Sequence, residues 1–179
     1  RHVQQQKRCR CAFGWFNLCE RDIFLMDFDV RELYQEVILD HGKNPRNFRQ
    51  PEFSNCEAQG HNPLCGDRLT VYLNVSEKSL IKDAAFEGRG CAISVASASM
   101  MTEIVCGKTV AQVQTLFDKF HQLCTGESER LETDEFAEEM DKLRVMSGVR
   151  QYPMRVKCAT LSWHAMCAAM AGRDEASTE

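Results

Sequence analysis

Four side chains, scattered over three segments, constrain this chain more than any other feature. They are Cys65 and Asp67 in NPLCGD, Cys91 in GRGC, and Cys158 in RVKC. Three thiols and one carboxylate form a tetrahedral donor set for a borderline-soft divalent ion. Zinc is the first candidate and an iron–sulfur cluster the second. Any fold that uses this set has to bring three distant segments to one point. Gly66 separates the first pair, Gly88 and Gly90 precede Cys91, and Arg155 and Lys157 precede Cys158. Cationic neighbours favour the thiolate, the form that both ligates metal and attacks sulfur, so Cys158 is expected to carry a lowered pKa. The expectation is one reactive thiol–metal site.

Composition narrows the setting. A chain of 179 residues with 44% hydrophobic and 27% charged content reads as one soluble globular domain with a real core. A net charge of −4 with no basic stripe argues against a nucleic-acid partner. No apolar run approaches the ~20 residues a membrane helix needs, so no membrane partner is expected. Ten cysteines do not demand a disulfide scaffold. Cys106, Cys124 and Cys167 fall inside helical patterns, where thiols serve as small apolar residues, and no signal peptide is visible. A reducing cytoplasm is the expected location.

The stretch from Arg1 to Leu25 is basic, carries a Cys9-x-Cys11 pair and Cys19, and has no clean period. One close cysteine pair without a matching second pair is a weak metal signal. The stretch reads as a non-native or poorly ordered leader, with Met26 as the natural start. A single domain over 26–172 and a frayed polar tail over 173–179 follow. Asp29 and Glu32 make a capping box for a helix stopped by Gly42 and Pro45. His41 at its C-terminal end is a helix-end residue rather than a ligand, favoured in its protonated form by the helix dipole. Residues 45–53 form a loop.

A β region follows, with a short strand over Asn55–Gln59 and a turn over GHNPLCGD. Leu69, Val71, Leu73 and Val75 alternate strictly with polar residues, the mark of a half-buried strand, and Leu80–Glu87 is a third strand. Pairing of the last two as a hairpin sets the Cys65–Asp67 segment beside Cys91. Residues two apart in an extended segment point the same way, so one ion can receive both Cys65 and Asp67. Cys91 then opens a helix rich in small residues, where backbone N–H groups favour a thiolate.

Thr109 and Gln112 form another capping box, ahead of an apolar stripe of Val110, Val113, Leu116, Phe117, Phe120 and Leu123. His121 on that helix is expected to face solvent. Residues 127–141 carry eight acidic side chains against Arg130 alone. They read as a solvated helix face with Phe136, Met140 and Leu143 on its apolar side; the sharper reading is a docking surface for a basic partner. GVRQYP is a loop leading to a last helix, with Cys158, Leu161, Ala165 and Ala169 along one side and Trp163, Met166 and Met170 in the core.

LYQEVILDHGKNPRNF, HNPLCGDRLTVYL, EGRGCAISVASASMM and VRQYPMRVKCATLSWHA occur in this order. They resemble the SufU-type members of the IscU/NifU N-terminal family of iron–sulfur cluster assembly proteins, over roughly Asp29 to Met170. The resemblance implies an α+β fold, a small mainly antiparallel sheet with helices packed on one face. It also implies a metal site of Cys65, Asp67, Cys91 and Cys158. IscU-type scaffolds carry a histidine before the third cysteine and a Pro-Pro-Val-Lys chaperone motif; here Lys157 and YPMRVK stand at those places. The acidic stretch before GVRQYP is similar to the SufU-type insertion.

These departures favour a zinc-dependent sulfurtransferase-type acceptor protein rather than a turnover enzyme. Its partner would be a SufS-like cysteine desulfurase using pyridoxal phosphate. Cys65, on a glycine-flanked loop, is the first candidate acceptor. Cys158, activated by Arg155 and Lys157, is the second, and Asp67 is the weakest ligand. Downstream stand a cluster scaffold or apo iron–sulfur proteins. The alternatives are a scaffold that builds a [2Fe–2S] cluster on the same residues and a metal-stabilised interaction module. A closed zinc knot would carry paired C-x-x-C elements, which are absent.

Overall fold

The alternation of Leu69, Val71 and Leu73 with polar residues produces one of the two inner strands of the sheet. A computed structural model of the chain describes residues 20–126 and 135–178. β1 spans Cys56–Asn62, β2 Asp67–Val75 and β3 Ile81–Arg89. Leu69, Val71 and Leu73 are buried, while Arg68 is exposed and Thr70 half-buried. β2 pairs antiparallel with β1 on one side and β3 on the other, and β4 (Glu175–Ser177) adds to β1 in parallel, giving the order β3-β2-β1-β4. The fold is α+β, with a mainly antiparallel sheet as the resemblance implied.

Among the described residues there are five α-helices: α1 (Glu20–Lys43), α2 (Ala92–Val105), α3 (Val110–Thr125), α4 (Ala137–Leu143) and α5 (Pro153–Met170). The chain divides within α1, and residues 33–179 form the body that carries the sheet. Ala96 and Ala98 let α2 come close to α5, where Ser97 Oγ donates to the Ala159 carbonyl at 2.5 Å. Trp163 of α5 is fully buried and stacks on Phe120 at 4.8 Å between ring centroids. Phe117, Leu116, Met140, Leu143 and Met146 complete this core. The Thr109–Gln112 capping box at the start of α3 forms as the sequence indicates.

Several boundaries differ from expectation. α1 starts at Glu20, so Asp29 lies inside it rather than at its cap; no glycine or proline interrupts residues 20–41 to stop a helix there. β1 runs on to Asn62, and the turn shrinks to residues 63–66, because Asn62 pairs with Asp67 in the ladder. GVRQYP is not a plain loop: residues Arg144–Gln151 form a 3-10 helix, whose period of three buries both Met146 and Val149. The polar tail is not frayed over 175–177, where it pairs with Gln59, Gly60 and His61. Residues 127–134 of the acidic run, and Cys9, Cys11 and Cys19, lie outside the described residues.

His41 also behaves differently. Its Nδ1 lies 2.8 Å from Ser99 Oγ, and burial lowers its pKa, so desolvation outweighs the helix dipole. Burial, then the neighbouring His121, lowers the His164 pKa in the same way. A histidine depressed below its ordinary 6.5 takes up its proton first in the unfolded chain. The stability from these neutral rings is therefore present above that value and lost as pH falls through it. Thermal unfolding should show a lower midpoint at about pH 5.5 than at about pH 7.5, and His164→Gln should narrow the gap. An unchanged gap in the variant would remove His164 as a cause.

Gly88 fixes the end of the hairpin. Its φ of 134° is open to glycine, and a Cβ there would meet the Arg68 carbonyl oxygen and come 2.9 Å from Leu69 Cα. Gly88→Ala should cost ~3 kcal/mol of stability, measured by denaturant unfolding. A loss under ~0.5 kcal/mol would mean that the β2–β3 register tolerates a side chain there.

Candidate metal centre

Strand register brings the first two segments together. Arg68 faces Arg89 in the β2–β3 ladder, so Asp67 and the Gly90–Cys91 segment adjoin just beyond the paired residues. The Cys91 N–H donates to Asp67 Oδ1 at 2.8 Å. Cys91 caps α2, and its Sγ accepts from the Ser94 N–H at 3.5 Å. The same sulfur lies 4.0 Å from Asp67 Oδ2.

Cys65 arrives differently. It sits in the four-residue turn between β1 and β2, ahead of Gly66 in the left-handed region at φ 72°. The segment is not extended: Cys65 is exposed while Asp67 is fully buried, and the turn makes them converge. The third segment is α5, which sets Cys158 in its second turn, 1% exposed. Cys158 Sγ lies 3.0 Å from Cys65 Sγ and 3.5 Å from the Met154 carbonyl, and accepts from Asn62 Nδ2 at 3.3 Å. One donor atom each from Cys65, Asp67 and Cys158 lies within 4.8 Å of the others. Cys91 borders this trio through Asp67 and stands outside it at that spacing.

The family model for the NifU-like N terminal domain matches residues 33–170. The chain belongs to the NifU-like N-terminal domain family. It is 38% identical over 136 residues to the zinc-dependent sulfurtransferase SufU of Bacillus subtilis, covering 75% of this chain and 86% of that one. It is 36% identical over 138 residues to the iron–sulfur cluster assembly scaffold protein IscU of Streptococcus pyogenes, covering 76% of this chain and 82% of that one. Among solved structures it is similar to a protein of Fervidobacterium islandicum described as a candidate iron–sulfur cluster assembly scaffold for the SUF system. That match has a TM-score of 0.68 at 32% identity and covers 78% of this chain and 98% of that one.

The electrostatics of this NifU-like domain depart from the expectation for Cys158. Its thiol pKa is raised, first by burial and then by Cys65, Asp67 and Cys91. Arg155 is not among the groups hydrogen-bonded to that thiol; its guanidinium lies over the Tyr152 ring, 4.5 Å from the centroid. Lys157, one position away, is turned about 100° around the helix. Proximity in sequence therefore did not place a cation on the sulfur. Cys106, Cys124 and Cys167 stand apart from this group. Burial pushes Cys124 up to about 12 and Cys167 to about 11. Cys106 is exposed at the end of α2, with its Sγ donating to the Thr102 carbonyl at 3.2 Å. His121 is half-buried beside Phe117 and His164 and belongs to no metal group among the described residues.

The donors present fit a divalent cation. Asp67 is a fully buried carboxylate, and no ion pair among the described residues reaches it. Ser94 Oγ beside it is buried without a hydrogen-bond partner. Buried carboxylates are normally paired or bound to metal, and two sulfurs with one oxygen suit a borderline-soft ion. Asn62 went unnoticed as part of this centre. It is fully buried, yet in the sequence the asparagine before Pro63 reads as an ordinary turn residue.

Asp67→Asn keeps an acceptor for the Cys91 N–H and removes the charge. The metal-free variant should unfold no more easily than wild type, while its affinity for Zn2+ or Co2+ drops on the order of 10–100-fold. Chelator-treated melts and indicator competition measure the two quantities. Unchanged affinity would exclude Asp67 as a ligand.

Proposed function

We propose that this domain holds zinc on Cys65, Asp67, Cys91 and Cys158 and accepts persulfide sulfur on Cys65 from a SufS-like cysteine desulfurase. The family's work is iron–sulfur cluster assembly, and this is the step within it that the geometry supports best. One observation carries the reading: an exposed thiol on a turn lies 3.0 Å from a buried thiol beside a buried carboxylate. Zinc, when bound, keeps its thiol ligands deprotonated. Asp67 and Cys158 are held by β2 and α5, and the exposed Cys91 is tied through its N–H to Asp67 at the start of α2, so the ligand able to leave the site in this reading is Cys65.

In the transfer, the Cys65 thiolate attacks the outer sulfur of the donor persulfide. A new bond forms between Cys65 Sγ and that sulfur, the donor's S–S bond breaks, and the donor departs as a thiolate. The exchange needs no outside oxidant or reductant. The sulfur then passes to a downstream cluster scaffold or to apo iron–sulfur proteins. With Cys158 buried on α5 and Arg155 over the Tyr152 ring, Cys158 serves as a retained ligand in this reading.

The same donor set supports a second reading, a scaffold for a [2Fe–2S] cluster, and the likeness to a protein named as a scaffold favours it. Lys157 in place of the scaffold-type histidine favours sulfur transfer. Stoichiometric zinc without visible absorbance supports the first reading; a reconstituted cluster that moves intact to apo-ferredoxin supports the second. With labelled cysteine and a desulfurase, Cys65→Ser should lower sulfur uptake on the order of 100-fold. Mass mapping should find the added sulfur on Cys65 in the wild type. Uptake that survives in Cys65→Ser but is lost in Cys158→Ser would reverse the acceptor assignment.

A further inference from the structure

Cys65, exposed, and Cys158, buried, lie 3.0 Å apart, and a bound cation would deprotonate both. Burial sets the two apart in access, and a directed hydrogen bond sets them apart in reactivity as well. We infer that Asn62 is the positioning residue that keeps Cys158 as the retained ligand and leaves Cys65 as the thiol that reacts. This rests on the reading of Cys65 as sulfur acceptor and names what selects it.

Asn62 is the last residue of β1 and is fully buried. Its backbone is pinned in the ladder opposite Asp67, and its carbonyl accepts from the Gly66 N–H at 2.9 Å. The side chain uses both ends of its carboxamide. Nδ2 donates to Cys158 Sγ at 3.3 Å, and Oδ1 accepts from the Leu64 N–H at 3.3 Å. An N–H directed at a thiolate occupies electron density that attack on an electrophile requires, and hydrogen bonds to charged groups are the stronger kind. Among the described residues no N–H is directed at Cys65 Sγ; the hydrogen bond it makes is accepted from the Cys158 thiol.

The two ends of the carboxamide also differ in what they hold. Oδ1 grips the turn that carries Cys65, next to the exposed Leu64 and Gly66. Nδ2 grips a sulfur on a buried helix. When the turn swings outward to present Cys65, the bond to Leu64 opens while the bond to Cys158 stays. Asn62 thus anchors one ligand and lets the other leave.

The test needs no sulfur donor protein. Zinc-loaded full-length chain is treated with less than one equivalent of iodoacetamide, and peptide masses give the ratio of label on Cys65 to label on Cys158. Wild type should label Cys65 first. Asn62→Ala should lower the ratio about tenfold, the factor one hydrogen bond to a charged sulfur is worth. Asn62→Gln, which keeps the donor on a longer arm, should fall between the two. If Asn62→Ala does not fold, Asn62→Ser, too short to reach the thiol, reads the same ratio. A folded, zinc-replete Ala or Ser variant with the wild-type ratio overturns the inference, as does a wild type that labels Cys158 first. A shifted ratio in a chain that takes no sulfur from any desulfurase would support the role of Asn62 and sink the sulfur-transfer reading instead.

Discussion

The hydrogen bond from the Cys91 N–H to Asp67 Oδ1, 2.8 Å long, is the joint on which this domain turns. It closes the β2–β3 hairpin just past the last paired residues and fixes where α2 begins. Both elements of that joint carry a residue of the proposed zinc site, Asp67 and Cys91. A fully buried carboxylate is costly unless paired, and Asp67 takes its partners from Cys91, whose N–H donates to Oδ1 at 2.8 Å and whose thiol lies 4.0 Å from Oδ2. A cation bound there would add the countercharge that no ion pair among the described residues supplies. Binding free energy and folding free energy are then coupled at one residue, as in other sites whose ligands come from separate segments.

Rigidity around the centre is uneven, and the unevenness suits ligand exchange. Asp67 stands at the start of a strand paired on both sides, Cys91 caps a buried helix, and Cys158 lies within another. Cys65 sits on a short exposed turn, where Gly66 adopts a conformation that side chains rarely do, whereas the exposed Cys91 is tied to Asp67 through its N–H. Local opening is cheapest where few apolar contacts and exposed backbone meet. Leu64, beside Cys65, is exposed, so moving the turn uncovers little buried surface.

Much of this was legible in the sequence. Alternation gave β2, the hairpin logic gave the meeting of Asp67 and Cys91, and the Thr109–Gln112 pair gave the cap of α3. These are local signals with a fixed period or spacing, so no tertiary information was needed. What escaped depended on contacts between distant segments. Arg155 precedes Cys158 by three positions, yet its guanidinium finds the Tyr152 face, and burial rather than charge governs the thiol. His41 ends a helix as expected, but packing against Ser99 decides its protonation. Asn62 has no pattern of its own; its importance exists only once α5 lies beside the end of β1.

The tail shows why such contacts decide the outcome. A polar run of Arg173 to Thr178 has no apolar period, and composition alone makes it a frayed end. Its stability comes from the sheet edge it meets, where Gln59 N–H donates to the Asp174 carbonyl at 2.8 Å and Glu175–Ser177 continue the pairing. An unpaired edge strand offers free backbone groups, so even a polar segment gains by covering it. The consequence reaches the metal centre. β4 follows α5 in the chain and pairs with β1, so the helix carrying Cys158 and the strand carrying Asn62 are joined both through the sheet and through their own side chains. The anchored half of the site is thereby built from the C-terminal third of the chain closing back on the first strand.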